Sequence, residues 1–195
     1  MIFGKKVILR EKRTDDAWDD YSWETDPELA RLDAAPVLTM PYPEYLEEYT
    51  IELTYYYSSG KRFAIDTLDG QHIGNCSYYN YDETRGDTEL GIMIGNRDYW
   101  DGGYGSDTVT TLVDHIFNTT KLNRIYLKTL NWNDRAHKCF QKCGFNKYGE
   151  STRSSYNFVL MEIFRSDWKE NQSLSRAFLI SGLSCFVIII IVRIL

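Results

Sequence analysis

Apolar residues recur along the chain with two periods, and the alternation between those periods sets the order of elements. In "SDTVTTLVDHIF" Val109, Leu112, Val113, Ile116 and Phe117 fall at positions 0, 3, 4, 7 and 8, the stripe of a helix lying on a sheet. In "TELGIMIG" Leu90, Ile92 and Ile94 alternate with Glu89, Gly91 and Met93, which predicts a strand with one buried face and Glu89 on the other. The same reading gives a short strand over Val7 to Arg10, a helix over "TDDAWDDYSWETDPE" capped by Thr14, and a second helix over "PEYLEEYTIELTYYYSSG" stopped by Ser58 to Gly60. "RFAIDTL" and "HIGNCSYYNY" are strands that join "TELGIMIG" through Asp69-Gly70 and Arg85-Gly86 in an antiparallel meander. After the helix at Val109, "RIYLKTL" is a strand, "NDRAHKCFQKCGF" a helix ended by Gly144, and "YNFVLMEIF" the last strand or strands.

With 195 residues, 43% of them hydrophobic, and no Pro-, Gly- or Ser-rich divider, the chain predicts one folded domain over residues 1–168. The formal net charge of −6 argues against nucleic acid as a partner and suits neutral or cationic small molecules. Asp15, Asp16, Asp19 and Asp20 form either a lure for a cationic acceptor or a solvated helix face. The four cysteines lack paired ligand spacing, so no metal site is expected and reduced thiols in a cytoplasmic setting fit best. Cys139 and Cys143 share one face of their predicted helix, where they read as small buried hydrophobes.

The far end differs in character. A polar linker at 169–176 precedes "AFLISGLSCFVIIIIV", Ala177 to Val192, which carries no charge and is bracketed by Arg176 and Arg193. At about 1.5 Å rise per residue, with the arginines snorkelling, a helix there just covers a bilayer core. Residues 177–195 therefore read as a transmembrane anchor with the folded part facing the cytoplasm, against the alternatives of a docked helix or a tail without a selected role.

Three of the thirteen glycines crowd into "YWDGGYGSD" just before the helix at Val109. A strand, a glycine turn and a helix start together suit an anion, because the first turn of a helix has unpaired N–H groups and a positive dipole end. Neither the dinucleotide fingerprint nor the Gly-Lys-Ser/Thr ending of a triphosphate loop is present.

"ELGIMIGNRDYWDGGYGSD" and "NDRAHKCFQKCGF", one strand apart, resemble motifs A and B of the GNAT superfamily of acetyl-CoA-dependent N-acetyltransferases. The "W-x-x-G-Y-G" form and the upstream "DPE" are most similar to the branch with ribosomal-protein N-terminal and spermidine acetyltransferases. The resemblance covers about residues 5–165. It implies an α/β (α+β) fold with a mixed, mostly antiparallel sheet, a diverging parallel strand pair and helices on both faces, here with an added C-terminal hydrophobic helix. It implies further that amides from Gly102 to Ser106 (Gly102, Gly103, Tyr104, Gly105, Ser106) hold the CoA pyrophosphate, and that Ile92, Met93 and Ile94 run beside the pantetheine arm. Trp100, Asn133 and Phe140 complete that cofactor set, with Asn133 able also to serve as a plain helix cap.

Acyl transfer to an amine needs an unprotonated nucleophile, a donor for the oxyanion and a way out for the thiolate. A backbone N–H near Met93 or Ile94 could serve the oxyanion, Asn133 could order the acceptor side, and Glu89 could draw off the amine proton; otherwise Glu89 is a surface carboxylate opposite Arg85 or Lys128. Relatives often place a tyrosine where Phe140 stands, to protonate the leaving sulfur, and read "W-G-K-G-Y-G" where Asp101 and Gly102 stand here. An acid gained and a cation lost weaken pyrophosphate binding unless Asp101 turns to solvent or Lys142 and Arg135 compensate. The expected activity is acetyl transfer from acetyl-CoA to a small amine, a polyamine or a peptide N-terminus. The alternative is a non-catalytic acyl-CoA-binding module tethered to a membrane. Oligomeric state stays open, a homodimer being one expectation.

Overall fold

The computed structural model describes residues 1–54 and 60–170. The predicted hydrophobic helix over 177–195 lies outside the described residues, as do all but the first two residues of the linker. Among the described residues no helix is long and apolar enough to cross a membrane.

Eight strands form one sheet: β1 (Ile2–Phe3), β2 (Val7–Arg10), β3 (Lys61–Thr67), β4 (His72–Asp82), β5 (Asp87–Ile94), β6 (Arg124–Leu130), β7 (Asn146–Arg153) and β8 (Tyr156–Phe164). Their spatial order is β1-β2-β3-β4-β5-β6-β8-β7, antiparallel throughout except for the parallel pair β5–β6. That pair is short. Asp87 faces Arg124, Thr88 faces Ile125 and Glu89 faces Tyr126, and beyond these the strands part while β5 keeps β4 as far as Gly74 opposite Ile94.

The five residues of the periodic stripe sit on α4 (Tyr104–Thr119), and all five are buried against one face of the sheet. Phe140 and Cys143, from α5 (Asp134–Lys142) and its C-cap, join the same core, while Ile125, Leu127, Met161 and Ile163 supply it from β6 and β8. On the other face, α1 (Ala17–Glu24) and α3 (Tyr42–Thr54) pack through Ala17, Tyr45 and Tyr49. The mixed fold with helices on both faces is as the resemblance implied.

Four expectations change on this second face. The single first helix is in fact a 3-10 turn at Thr14–Asp16, then α1, then α2 (Pro27–Leu32). Pro27 has no N–H to extend α1 and disfavours a helical Asp26, whose carboxylate instead caps α2 by accepting from Glu28 N at 2.9 Å and Leu29 N at 3.0 Å. Thr14 is not the cap. Arg13 holds that position, and its N–H donates to the Asp16 carboxylate at 2.7 Å. The acidic cluster is also not a uniformly solvated face, since Asp16 and Asp20 are buried. Glu89, finally, is 4% exposed and not a surface carboxylate: Asn80 and Lys128, from the neighbouring strands β4 and β6, close over it.

The buried acids are held by cations and donors. Asp16 takes both guanidinium nitrogens of Arg10 at 2.7 Å, and Arg10 also donates to Asp66 at 2.6 Å. Asp20 accepts from Asn75 at 2.6 Å and Tyr49 at 2.8 Å, pairs with Lys12 at 2.6 Å and lies 3.4 Å from the His72 ring. Burial alone would raise the Asp20 carboxyl, but His72, Lys12 and Asn75 outweigh it and hold it well below the usual carboxylate range.

Removing one partner from such a group leaves the others buried and unpaired. Asp20→Ala should lower the free energy of unfolding by about 3–5 kcal/mol in urea titrations at neutral pH. A carboxyl depressed in the folded state contributes stability above its unfolded value of about 3.9, and that contribution is lost as pH falls below it, so the gap between wild type and variant should narrow in acid.

Candidate active site

A cleft of about 460 Å³ opens where β5 and β6 part. Its walls include Ile92, Met93 and Ile94 from β5, Trp100, Gly103, Gly105 and Ser106 from the glycine turn and α4, and Asn133, Cys139 and Phe140 from α5 and its cap. The two sequence motifs thus meet across one cavity. Among the described residues no strand lies beside the β6-side edge of β5 past Glu89, which leaves main-chain groups for an extended amide-bearing ligand.

The turn is built for close approach. Gly103 takes φ +84° and Asp101 +57°, so the chain reverses through left-handed geometry that suits glycine at 103. The first intrahelical bond is Asp107 N–H to Gly103 O at 3.0 Å, so the amides of Tyr104, Gly105 and Ser106 lie ahead of the ladder at the positive end of the helix dipole. Trp100 fixes the strand end by donating Nε1–H to Ile94 O at 2.7 Å. Arg135 lies over that indole, 3.5 Å from the ring centroid.

A cation is restored from an unexpected place. Lys6, in the turn between β1 and β2, donates Nζ–H to Gly102 O at 2.8 Å and lies 5.4 Å from the Tyr104 ring centroid. Asp107 secures this by accepting from Lys6 N at 2.7 Å and Val7 N at 3.2 Å. No local signal points to Lys6, which is separated by about a hundred residues from the turn it serves. Arg135, Lys138 and Lys142 line the cleft, and Asp101, although it borders the cleft, is exposed. Gly102 and Tyr104 stand behind the lining: Gly102 engages Lys6, and Tyr104 packs edge-on against Tyr99 at 5.0 Å.

The remaining candidates divide. Asn133 caps α5, its Oδ1 accepting from Ala136 N at 3.1 Å, so the cap is real and Nδ2 is left to donate elsewhere. Phe140 is 7% exposed and packs on Phe145 with centroids 6.0 Å apart. Glu89 sits at the apex where the strands part, accepting from Asn80 at 3.0 Å and paired with Lys128 at 3.0 Å, outside the cleft lining among the described residues. Arg85 turns away to Asp82 and Asp87. Trp23 and Tyr45 are packed; Trp18, 59% exposed, lies against Tyr42 with centroids 4.8 Å apart.

Sequence reading missed Asp33, which follows α2 and lines the cleft. Solvent reaches this residue, yet surrounding protein raises its carboxyl, with Lys128 pulling the other way. Nearby phenols respond to the same field: Tyr79 and Tyr126 are raised by burial and by the charge of Glu89. Among the described residues no group of three or more His, Cys, Asp or Glu could hold a metal ion.

Known proteins share this arrangement. The profile of the Acetyltransferase (GNAT) domain matches residues 6–146. The "Uncharacterized N-acetyltransferase p20" of Bacillus licheniformis is 25% identical over 150 residues, 76% of this chain and 83% of that protein. A spermidine N-acetyltransferase from Vibrio cholerae, solved with CoA and spermine, superposes with a TM-score of 0.73 at 17% identity, covering 84% of this chain and 98% of that one. An aminoglycoside acetyltransferase in complex with coenzyme A gives 0.70 at 21% identity, covering 85% and 99%. With its profile match spanning most of the sequence and both motifs gathered on one cleft, the chain belongs to the GNAT family of acetyltransferases.

Proposed function

We propose that the chain transfers the acetyl group of acetyl-CoA to a primary amine, and that the cleft between β5 and β6 is where the two meet. One observation carries the proposal: a side-chain-poor turn with free amides and nearby cations opens onto a strand edge with no neighbouring strand among the described residues. The amides from Gly102 to Ser106 would hold the pyrophosphate, with Arg135, Lys138 and Lys142 adding charge and Lys6 bracing the turn. Ile92 to Ile94 would line the pantetheine arm, with Trp100, Asn133 and Phe140 completing the walls.

Acetyl-CoA supplies the thioester carbon that the amine attacks. A main-chain N–H near Met93 or Ile94 donates to the oxygen on which charge builds, an effect of about 3 kcal/mol where such donors have been removed. The amine, with a pKa near ~10, must lose its proton to a carboxylate directly or through water. Glu89 at the apex is the first candidate. Asp33 is the second, favoured by its place in the lining and its raised carboxyl. Phe140 cannot donate to sulfur, but a thiolate whose acid has a pKa of about 8.5 leaves without that help. The acidic balance and the amines acetylated by the structural neighbours, spermidine and aminoglycosides, support a polyamine, a peptide N-terminus or another small amine as acceptor. Phe140 is the observation that favours the second reading, an acyl-CoA-binding module without turnover.

Gly103→Asp places a like charge in the turn and should weaken acetyl-CoA at least ten-fold by calorimetry, with an unchanged far-ultraviolet spectrum. Affinity equal to wild type would remove the turn assignment. Glu89→Gln should lower kcat by about 10²-fold or more while the acetyl-CoA Kd stays within two-fold, and should abolish the acidic limb of the pH–rate profile. If that limb survives and Asp33→Asn removes it instead, the proton goes to Asp33. CoA release no faster with any amine of a panel than without one selects the binding module. For 177–195 the proposal remains a membrane anchor: the full chain should need detergent for extraction and a chain ending at Asn171 should not, equal solubility disproving it.

A further inference from the structure

The cleft wall carries a feature that acyl transfer does not use. Cys139 and Cys143, four apart on α5 and its cap, both reach α4 at Ser106: Cys139 Sγ lies 3.4 Å from Ser106 Oγ, and Cys143 Sγ lies 3.4 Å from Ser106 O, the acceptor its single S–H has when it is not turned to Cys139. Their exposures differ. Cys143 is 6% exposed, whereas Cys139 is half-buried and lines the cleft beside Gly105, where an added Cβ would come within 3.7 Å of its sulfur. Two thiols that contact one turn, one open to the cavity and one behind it, form a nucleophile with a built-in donor.

We propose that Cys139 is a modification site: its sulfur exchanges with an anionic low-molecular-weight disulfide that enters the cleft, and the mixed disulfide blocks the turn that holds CoA. The sulfur of Cys139 attacks one sulfur of R–S–S–R, the protein–S–S–R bond forms as the R–S–S–R bond breaks, and the departing thiolate takes a proton from water. The incoming disulfide is the oxidant, so electrons balance. Occlusion follows from position, because a group attached to this sulfur lies against Gly105 and Ser106. This second half rests on the reading of that turn as the CoA site.

The surroundings favour the reactive form. Hydrogen bonding from Cys143 draws the Cys139 thiol below the ordinary thiol range, burial opposes this, and Ser106 and Lys142 add to it. Cys143 moves the opposite way, well above the ordinary thiol range, so it stays protonated and donates. Lys138 and Arg135 from α5 line the same cleft, with Asp101 of the turn and Asp33 after α2 the opposing charges there. On α4, Thr110 donates to Cys143 at 3.7 Å, while Asp107 is taken up by Lys6 and Val7. A lowered thiol has a larger thiolate fraction at neutral pH but a less nucleophilic sulfur, so the two effects partly cancel in the rate. The diagnostic quantity is therefore the midpoint in pH.

The full chain is incubated with glutathione disulfide from pH 5.5 to 9, and each cysteine is followed by peptide mass. Expected are exchange at Cys139 with a midpoint below the ordinary thiol range, a midpoint moved upward in Cys143→Ala, and at least ten-fold protection by saturating acetyl-CoA, which has no free thiol to reverse the reaction. The modified chain should bind acetyl-CoA at least ten-fold more weakly and recover with dithiothreitol. Glutathione disulfide should leave the affinity of Cys139→Ser as it was before addition. A Cys139 rate no greater than that of buried Cys76, or a midpoint in the ordinary thiol range, overturns the site. Unchanged acetyl-CoA affinity after modification overturns the blockade while leaving the CoA reading intact. Failure of the unmodified chain to bind acetyl-CoA refutes the CoA reading and the blockade together, while rate and midpoint still decide the modification site.

Discussion

A strand in the middle of an eight-stranded sheet that gives up its neighbour on one side is the constraint around which this molecule is arranged. Among the described residues β5 beyond the Glu89–Tyr126 pair has β4 on one edge and none on the other, and Gly91 to Ile94 there are half-buried. Peptide groups without a strand partner need another one, from water or a ligand. α5 with its Asn133 cap lines the cleft at this edge, and the far end of the edge is pinned by the indole of Trp100 on Ile94 O. An extended chain of amides suits this edge as a missing strand would, while a helix start at its end suits a charged group.

Charge is distributed to match. The cations of α5 gather on the cleft, and Lys6 is brought to the back of the turn by a backbone anchor on Asp107. Acids stand among them: Asp33 and Asp101 line the same cleft, while Glu89 lies outside the lining, paired with Lys128, which also pulls on Asp33.

Much of this was legible in the sequence, for identifiable reasons. The stripe on α4 and the alternation in β5 are local periodic patterns, and the left-handed Gly103 is announced by the cluster around it. What was not legible depends on distance along the chain. Lys6 reaches Gly102 only because β1 and β2 add to the far edge of the sheet and bring their turn under α4. Asp16 and Asp20 read as solvated because their partners Arg10, Lys12, His72 and Asn75 come from separate strands and the stretch between them. The break at Asp26 was signalled by Pro27 and overridden by a helical pattern that continues on both sides. Cys139 and Cys143 shared a predicted face, but nothing local told the open thiol from the covered one.

Gly95, one residue past β5, lies so near the Trp23 ring that any Cβ there would overlap it, and the same indole rests on His72 with centroids 5.0 Å apart. One ring of the helical layer is therefore the floor under the strand end from which the glycine turn departs. Trimming this ring would excavate a void beneath the strand end. Whoever redesigns this corner of the protein inherits that trade, and positions 23 and 95 have to be changed as a couple.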